Sequence, residues 1–201
     1  DSRPGAASAM LIVYSAVQRR HRPAYVVKGG HPSQSYDLPE RLDSILSAAT
    51  KNELGTVVEP ARCSGLAPIL AVHDAGMIEY LQDAYAQHCA SGDAGGPLFP
   101  TFFPPPGQRR RPSCFEGRKG FYCTNMGVPI GQHTWHAALV SAHCAVTGAK
   151  HLRAGEPCVY AMCRPPGHHA GPSFFGGYCY LNNAAIAAQF LRRTGGRVAI
   201  L

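Results

Sequence analysis

A chain of 201 residues with 45% hydrophobic content carries enough apolar side chain for one ordinary domain or a large part of one. No run approaches the ~18 consecutive apolar residues of a membrane span, and Asp1-Ser2-Arg3-Pro4-Gly5 lacks the basic-then-apolar layout of a secretory signal, so the sequence reads as soluble, unexported and cytoplasmic. The net charge of +7 sits largely in Arg19-Arg20-His21-Arg22 and Arg109-Arg110-Arg111; neither cluster is followed by the evenly spaced aromatics of a stacking platform, so both read as solvated loops and not as a nucleic-acid interface.

Residues 1–9 read as a disordered N-terminal segment, leaving 10–201 as the folded part. Met10-Leu-Ile-Val-Tyr14 is a continuous apolar run, the mark of a buried strand. Pro39 opens a helix whose Leu42, Ile45, Leu46 and Ala49 fall on one stripe, because proline in a first turn removes only an N–H that has no helical partner. Thr56-Val57-Val58 predicts a second strand, and Asp74 caps a helix that carries Met77, Tyr80, Leu81, Ala84 and Tyr85 on one side. Strand and helix in alternation predict an α/β fold with a parallel sheet.

The stretch at about 92–131 breaks that rhythm with Pro104 to Pro106, the three arginines, and Phe99, Phe102 and Phe103. Segments this long without regular structure are uncommon inside compact domains. The aromatics predict an ordered loop insertion that covers a site or contacts a partner subunit. Helical spacing resumes at Thr134, read as an N-cap, with Trp135, Leu139, Ala142, Val146, Ala149 and Leu152. Cys158 to Cys163 is the third strand, a helix capped by Asn182 follows, Gly195-Gly196 ends it, and Val198 to Leu201 is the fourth strand. The eight cysteines lie in apolar stretches without a Cys-x-x-Cys pair, which predicts reduced, mostly buried thiols and no zinc ribbon.

Between the third strand and its helix lies the most informative stretch, Arg164-Pro-Pro-Gly-His-His-Ala-Gly, then Phe175-Gly-Gly-Tyr-Cys-Tyr-Leu-Asn-Asn183. Ligands of parallel α/β sheets gather beyond the carboxyl ends of the strands, which is where this loop leaves. Adjacent histidines in an extended segment point in different directions. His168 and His169 therefore suit two separate roles beside one reacting atom, one imidazole as base and one shaping charge. Gly176-Gly177 lets the backbone come close to a ligand, and Tyr178 adds an apolar wall with a polar tip. A cysteine hydrolase using Cys163 or Cys179 is a weaker reading, because Cys163 lies in an apolar strand and not at a helix N-terminus.

At these residues the chain resembles the zinc-dependent histone deacetylase and acetylpolyamine amidohydrolase superfamily. Further matches are Tyr14-Ser15, Pro39-Glu-Arg-Leu42, Val72-His-Asp-Ala75 and Tyr80-Leu81, and the Phe-Gly-Gly-Tyr form with the long insertion is closer to its acetylpolyamine and class II side. The resemblance implies the N-terminal part of a three-layer parallel-sheet, arginase-like deacetylase fold, with the second, first and third strands side by side. It implies His169 as general base for a zinc-bound water and His168 as a protonated stabiliser of the oxyanion. The Gly177 carbonyl would accept from the scissile amide N–H, Tyr178 would line the substrate channel, and Arg41 would lie along an inner channel. The substrate would be an acetylated small amine or acetyl-lysine, and the insertion would make a homodimer.

Departures matter as much. The family's Asp-x-Asp-x-His-His-Gly block, with its zinc ligands and orienting aspartate, would follow Leu201, so the chain holds none of the family's Zn2+ ligands. Alone it is expected to be an inactive fragment with an open sheet edge. Val26 stands where some polyamine deacetylases carry a gatekeeping glutamate. The alternative is a catalytically incomplete relative acting as an interaction module.

Overall fold

The computed structural model describes residues 10–61, 65–92, 95–105, 107, 110–193 and 195–201; the 1–9 segment expected to be disordered lies outside them. In chain order the elements are β1 (Met10–Val13), a 3-10 helix (Ala16–Arg20), β2 (Val26–Lys28), β3 (His31–Ser33), α1 (Glu40–Lys51) and β4 (Gly55–Val58). Then come α2 (Ala67–Leu70), α3 (Ala75–Ala90), α4 (Phe115–Phe121), α5 (Thr134–Arg153), β5 (Val159–Ala161) and α6 (Asn183–Arg192). β1 lies between β4 and β5 and is parallel to both, which is the side-by-side order of second, first and third strands of the main sheet that the resemblance implies. No described helix is long and apolar enough to cross a membrane.

One small core joins Ile12 of β1 to Leu42 and Ala49 of α1 and to Met162 beyond β5. Leu46 packs against this core, whereas Ile45, expected on the same stripe, is exposed. The larger core gathers Met77, Tyr80 and Leu81 of α3, Ala138, Ala142 and Val146 of α5, and Phe175, Tyr180 and Ile186. Leu98, Tyr122, Val128 and Ile130 belong to it too, and Leu98 exchanges backbone hydrogen bonds with Ile130. Through these side chains the described part of the 92–131 stretch is tied to the core, and burying an aliphatic side chain of this size contributes about 1.5–3 kcal/mol, which offsets the cost of holding it there.

Several local expectations change. Thr134 does not cap α5. His133 stands at the cap, while the Thr134 hydroxyl accepts the Gly131 N–H at 2.8 Å and meets His21 Nδ1 at 3.1 Å. In the first basic cluster Arg19, Arg20 and Arg22 are exposed, as a solvated run should be, but Arg19 and Arg20 end the 3-10 helix, Arg19 pairs with Asp43, Arg22 pairs with Glu40 at 2.7 Å, and His21 is buried. Of the described cysteines all are free; Cys123, Cys144 and Cys179 are buried, whereas Cys114 and Cys158 are exposed.

Val198 to Leu201 is not a strand. A strand needs a neighbour for its N–H and C=O groups, none of the described residues supplies one, and Val198, Ile200 and Leu201 are exposed. On the far side of β5 from β1 an apolar groove of about 400 Å3 lies open, lined by Ala145, Ala149, Leu152, Val159 and Leu191 among others. Apolar surface beside an unpaired strand edge invites association. The 201-residue chain expressed alone is therefore expected to self-associate in sedimentation experiments; a clean monomer with one cooperative thermal transition would contradict this.

Candidate active site

The loop after β5 is fixed at its root by Arg164, whose guanidinium is buried against Asp37 and against backbone carbonyls. The Pro165 carbonyl accepts from Ser141 Oγ at 2.9 Å and Asn183 Nδ2 at 3.1 Å. At Gly167 the chain runs so close to the start of α6 that a Cβ would lie 2.5 Å from Asn183 N and Leu181 O. The Ala170 N–H then bonds back to the Gly167 carbonyl at 3.0 Å, which makes His168 and His169 the central residues of a turn and not of the extended segment expected. Both side chains are exposed, and their ring centroids are 4.3 Å apart at 46°. The turn keeps the imidazoles adjacent while sending them to different surroundings. His168 borders the groove beside β5, whereas a Cβ on Gly177 would come within 2.5 Å of the His169 ring.

The far side of the loop is a two-residue hairpin. Gly176 and Cys179 exchange backbone hydrogen bonds at 3.1 and 2.9 Å, and the tip residues Gly177 and Tyr178 have φ of 53° and 66°. Positive φ at both central positions defines a type I′ turn. It is free for glycine and costly for tyrosine, and strain of this kind in a non-glycine residue is held only by its surroundings. Both glycines permit close approach within the protein itself. Gly177 faces His169, Tyr178 is half-buried beside it, and Gly176 leaves no room for a Cβ, which would fall 1.9 Å from Thr124 Oγ1.

His73, present in the sequence only as part of the Val72-His-Asp-Ala75 match and given no role there, ties the loop together. Its Nδ1 meets the Gly171 carbonyl at 2.9 Å, and its Nε2 accepts the Asn182 N–H at 2.9 Å. The backbone donor at Nε2 fixes the neutral tautomer with the proton on Nδ1, and burial lowers the ring's pKa. Asp74 N bonds to the Pro172 carbonyl at 2.8 Å and the Asp74 side chain caps α3, while Asn182 caps α6, both as read from the sequence. Arg41 is exposed on a recess with Tyr36, Leu38 and Ile45, whereas Arg164 is buried. Val26 is buried in β2, so that position presents nothing to a ligand.

Burial pushes the Cys163 thiol up to about 12 and raises that of Cys179, in spite of backbone N–H groups of His169 and His168 directed at the latter. Neither is an activated nucleophile, which works against the cysteine hydrolase. Among the described residues no group of three or more His, Cys, Asp and Glu could hold a metal ion. The zinc that the resemblance implies thus has no ligand set on the described residues.

Comparison with known proteins agrees with this architecture. The histone deacetylase domain profile matches residues 35–201. Acetylpolyamine amidohydrolase 1 of Pseudomonas aeruginosa is 41% identical over 198 residues, covering 96% of this chain and 56% of the relative. The acetylpolyamine amidohydrolase of Mycoplana ramosa is 38% identical over 193 residues, again covering 96% and 56%. The crystal structure of acetylpolyamine aminohydrolase from Burkholderia pseudomallei superposes with a TM-score of 0.84 at 36% identity, over 92% of this chain and 53% of that one. The HDA15 HD domain shares the fold, with a TM-score of 0.65 at 19% identity, over 94% and 44% of the two chains. The chain spans about half the length of the curated relatives it matches.

Proposed function

The chain belongs to the histone deacetylase domain family, and from that premise we propose that it is the N-terminal portion of a zinc-dependent amidohydrolase that deacetylates acetylated amines, acetylpolyamine or acetyl-lysine. The observation that carries the reading is the apposition of the His168–His169 turn and the strained hairpin tip, with Gly177 against the His169 ring. In this reading His169 takes the proton of the attacking water and returns it to the leaving amine. His168, charged, faces the developing oxyanion. The Gly177 carbonyl accepts the amide N–H of the substrate, and Tyr178 walls the acetylated side chain. A general base and a preorganised opposite charge are the contributions an amide, as a poor electrophile, most needs from side chains.

Zinc would come with ligands outside the described residues. A cytoplasmic location and a homodimer through 92–131 belong to the same proposal; the support for the second is that Phe102 and Phe103 stay exposed on the insertion. The family assignment offers nothing to the alternative of an interaction module.

The test is acetate release by the protein made from its complete coding sequence, offered N-acetylputrescine and an acetyl-lysine peptide. Turnover of at least one is expected, and none from the 201-residue chain alone. A folded, zinc-supplied complete protein that released acetate from neither would overturn the reading.

A further inference from the structure

The Gly177-Tyr178 order is that of a type II′ turn, which wants glycine first and lets the second residue keep a negative φ. Turning over the single peptide between them would take Tyr178 out of the left-handed region and carry the Gly177 carbonyl to the opposite face of the hairpin. Observed φ values of 53° and 66° show that the surroundings hold the other form. Two side chains reach the Gly177 backbone. Asn125 Oδ1 accepts the Gly177 N–H at 3.2 Å and the Gly127 N–H at 2.9 Å, and its Nδ2 bonds to Thr124 Oγ1 at 3.2 Å. Two N–H donors can meet only the amide oxygen, so the carboxamide's orientation follows from the network. From below, the Cys179 thiol donates to the Gly177 carbonyl at 3.3 Å.

The segment that carries Asn125 is itself anchored to the loop. Thr124 N and Oγ1 both bond to the Phe175 carbonyl, at 2.9 and 3.2 Å, and the Phe175 N–H bonds to Tyr122 O at 2.8 Å. Asn125 thus braces the hairpin from the end of the 92–131 stretch, 52 residues away in sequence from Gly177.

We propose that Asn125 and Cys179 are positioning residues for Gly177: Asn125 holds its N–H, and with it the peptide that enters the turn, while Cys179 holds its C=O, the group that turning over the next peptide would carry away. This rests on the reading of Gly177 as the acceptor for the substrate amide. Neither residue touches the reacting atoms. A weakened clamp leaves the substrate pocket in place but presents the acceptor in only part of the population, which lowers turnover more than binding.

The experiment uses the complete protein. Asn125→Ala and Cys179→Ala are each expected to lower kcat about five- to tenfold, the worth of one hydrogen bond, with KM little changed; Asn125→Ala should melt near the wild type, and Cys179→Ala, which empties the space of a buried thiol, somewhat lower. Asn125→Asp, which keeps the acceptor, and Cys179→Ser, which keeps a donor, should restore most of it. Amide hydrogen exchange at Gly177 and Tyr178 should accelerate in the alanine variants only. Unaltered exchange overturns the proposal, and so does accelerated exchange with wild-type kcat. If the wild-type protein itself released no acetate, the function would fail separately and exchange alone would judge the clamp.

Discussion

Replacing His169 with alanine in the complete protein should lower kcat for acetate release by about 10²–10⁴-fold, the usual worth of a general base. The reason is placement: of the two imidazoles it is His169 whose ring lies against Gly177, where the scissile amide would be held. Folding should survive, because the side chain is exposed and, among the described residues, carries no carboxylate bond whose loss would cost stability. His168→Ala should also be slow. The two losses should not add, since residues that act on one transition state fail as a unit. Steady-state kinetics on the better of the two acetylated amines, with a thermal melt of each variant, checks this. Retention of wild-type kcat by His169→Ala would remove that residue from the chemistry and with it the central support of the proposed function.

What could be read from the sequence was what local rules determine. β1, the caps at Asp74 and Asn182, and the small-residue face of α5 depend on spacing and on side chains within a turn of the backbone they serve. The adjacency of the histidines was legible; the turn that aligns their rings was not, because it is closed by the packing of Gly167 on the start of α6. His73 and Asn125 act on backbone 109 and 52 residues away, and no pattern in one sequence marks such contacts. The β2–β3 hairpin did leave a signal, Gly29-Gly30 at positive φ, but Pro32 and the short polar runs around it weigh against a strand. Val198 to Leu201 shows the complementary limit: an apolar run describes what a strand is made of, and pairing depends on a neighbour that none of the described residues supplies.

Arg164 illustrates the same limit and carries the largest expected effect on stability. In sequence it only ends a strand. In the fold its Nε donates to Asp37 Oδ1 at 3.2 Å, Nη1 to Gln18 O at 2.9 Å, and Nη2 to the carbonyls of His21 and Asp37, both at 2.7 Å. One buried fork therefore joins the 3-10 helix, the approach to α1 and the root of the loop that carries His168 and His169. Burial raises the pKa of Asp37 and lowers that of Arg164 in spite of their attraction, so desolvation outweighs pairing for each. Such a pair adds little over an apolar replacement of both members, yet breaking it is costly. Arg164→Met, which strands Asp37 and the carbonyls, should destabilise by about 3–5 kcal/mol. Arg164→Lys should recover only part, for want of the planar fork, and Arg164→Met with Asp37→Leu should be more stable than Arg164→Met alone. The pH dependence has a definite sign. Without the guanidinium the Asp37 pKa rises further, so the folded variant takes up a proton that the unfolded chain releases. The nearby His21, held at about 3 by burial and then by Arg164, becomes easier to protonate. Both changes favour the folded variant in acid, so the gap between wild type and Arg164→Met should narrow as the pH falls from neutrality toward the carboxylate range. Urea unfolding of the complete proteins at neutral and mildly acidic pH measures that gap; an equal gap at both would mean that lost packing, and not a stranded charge, causes the loss.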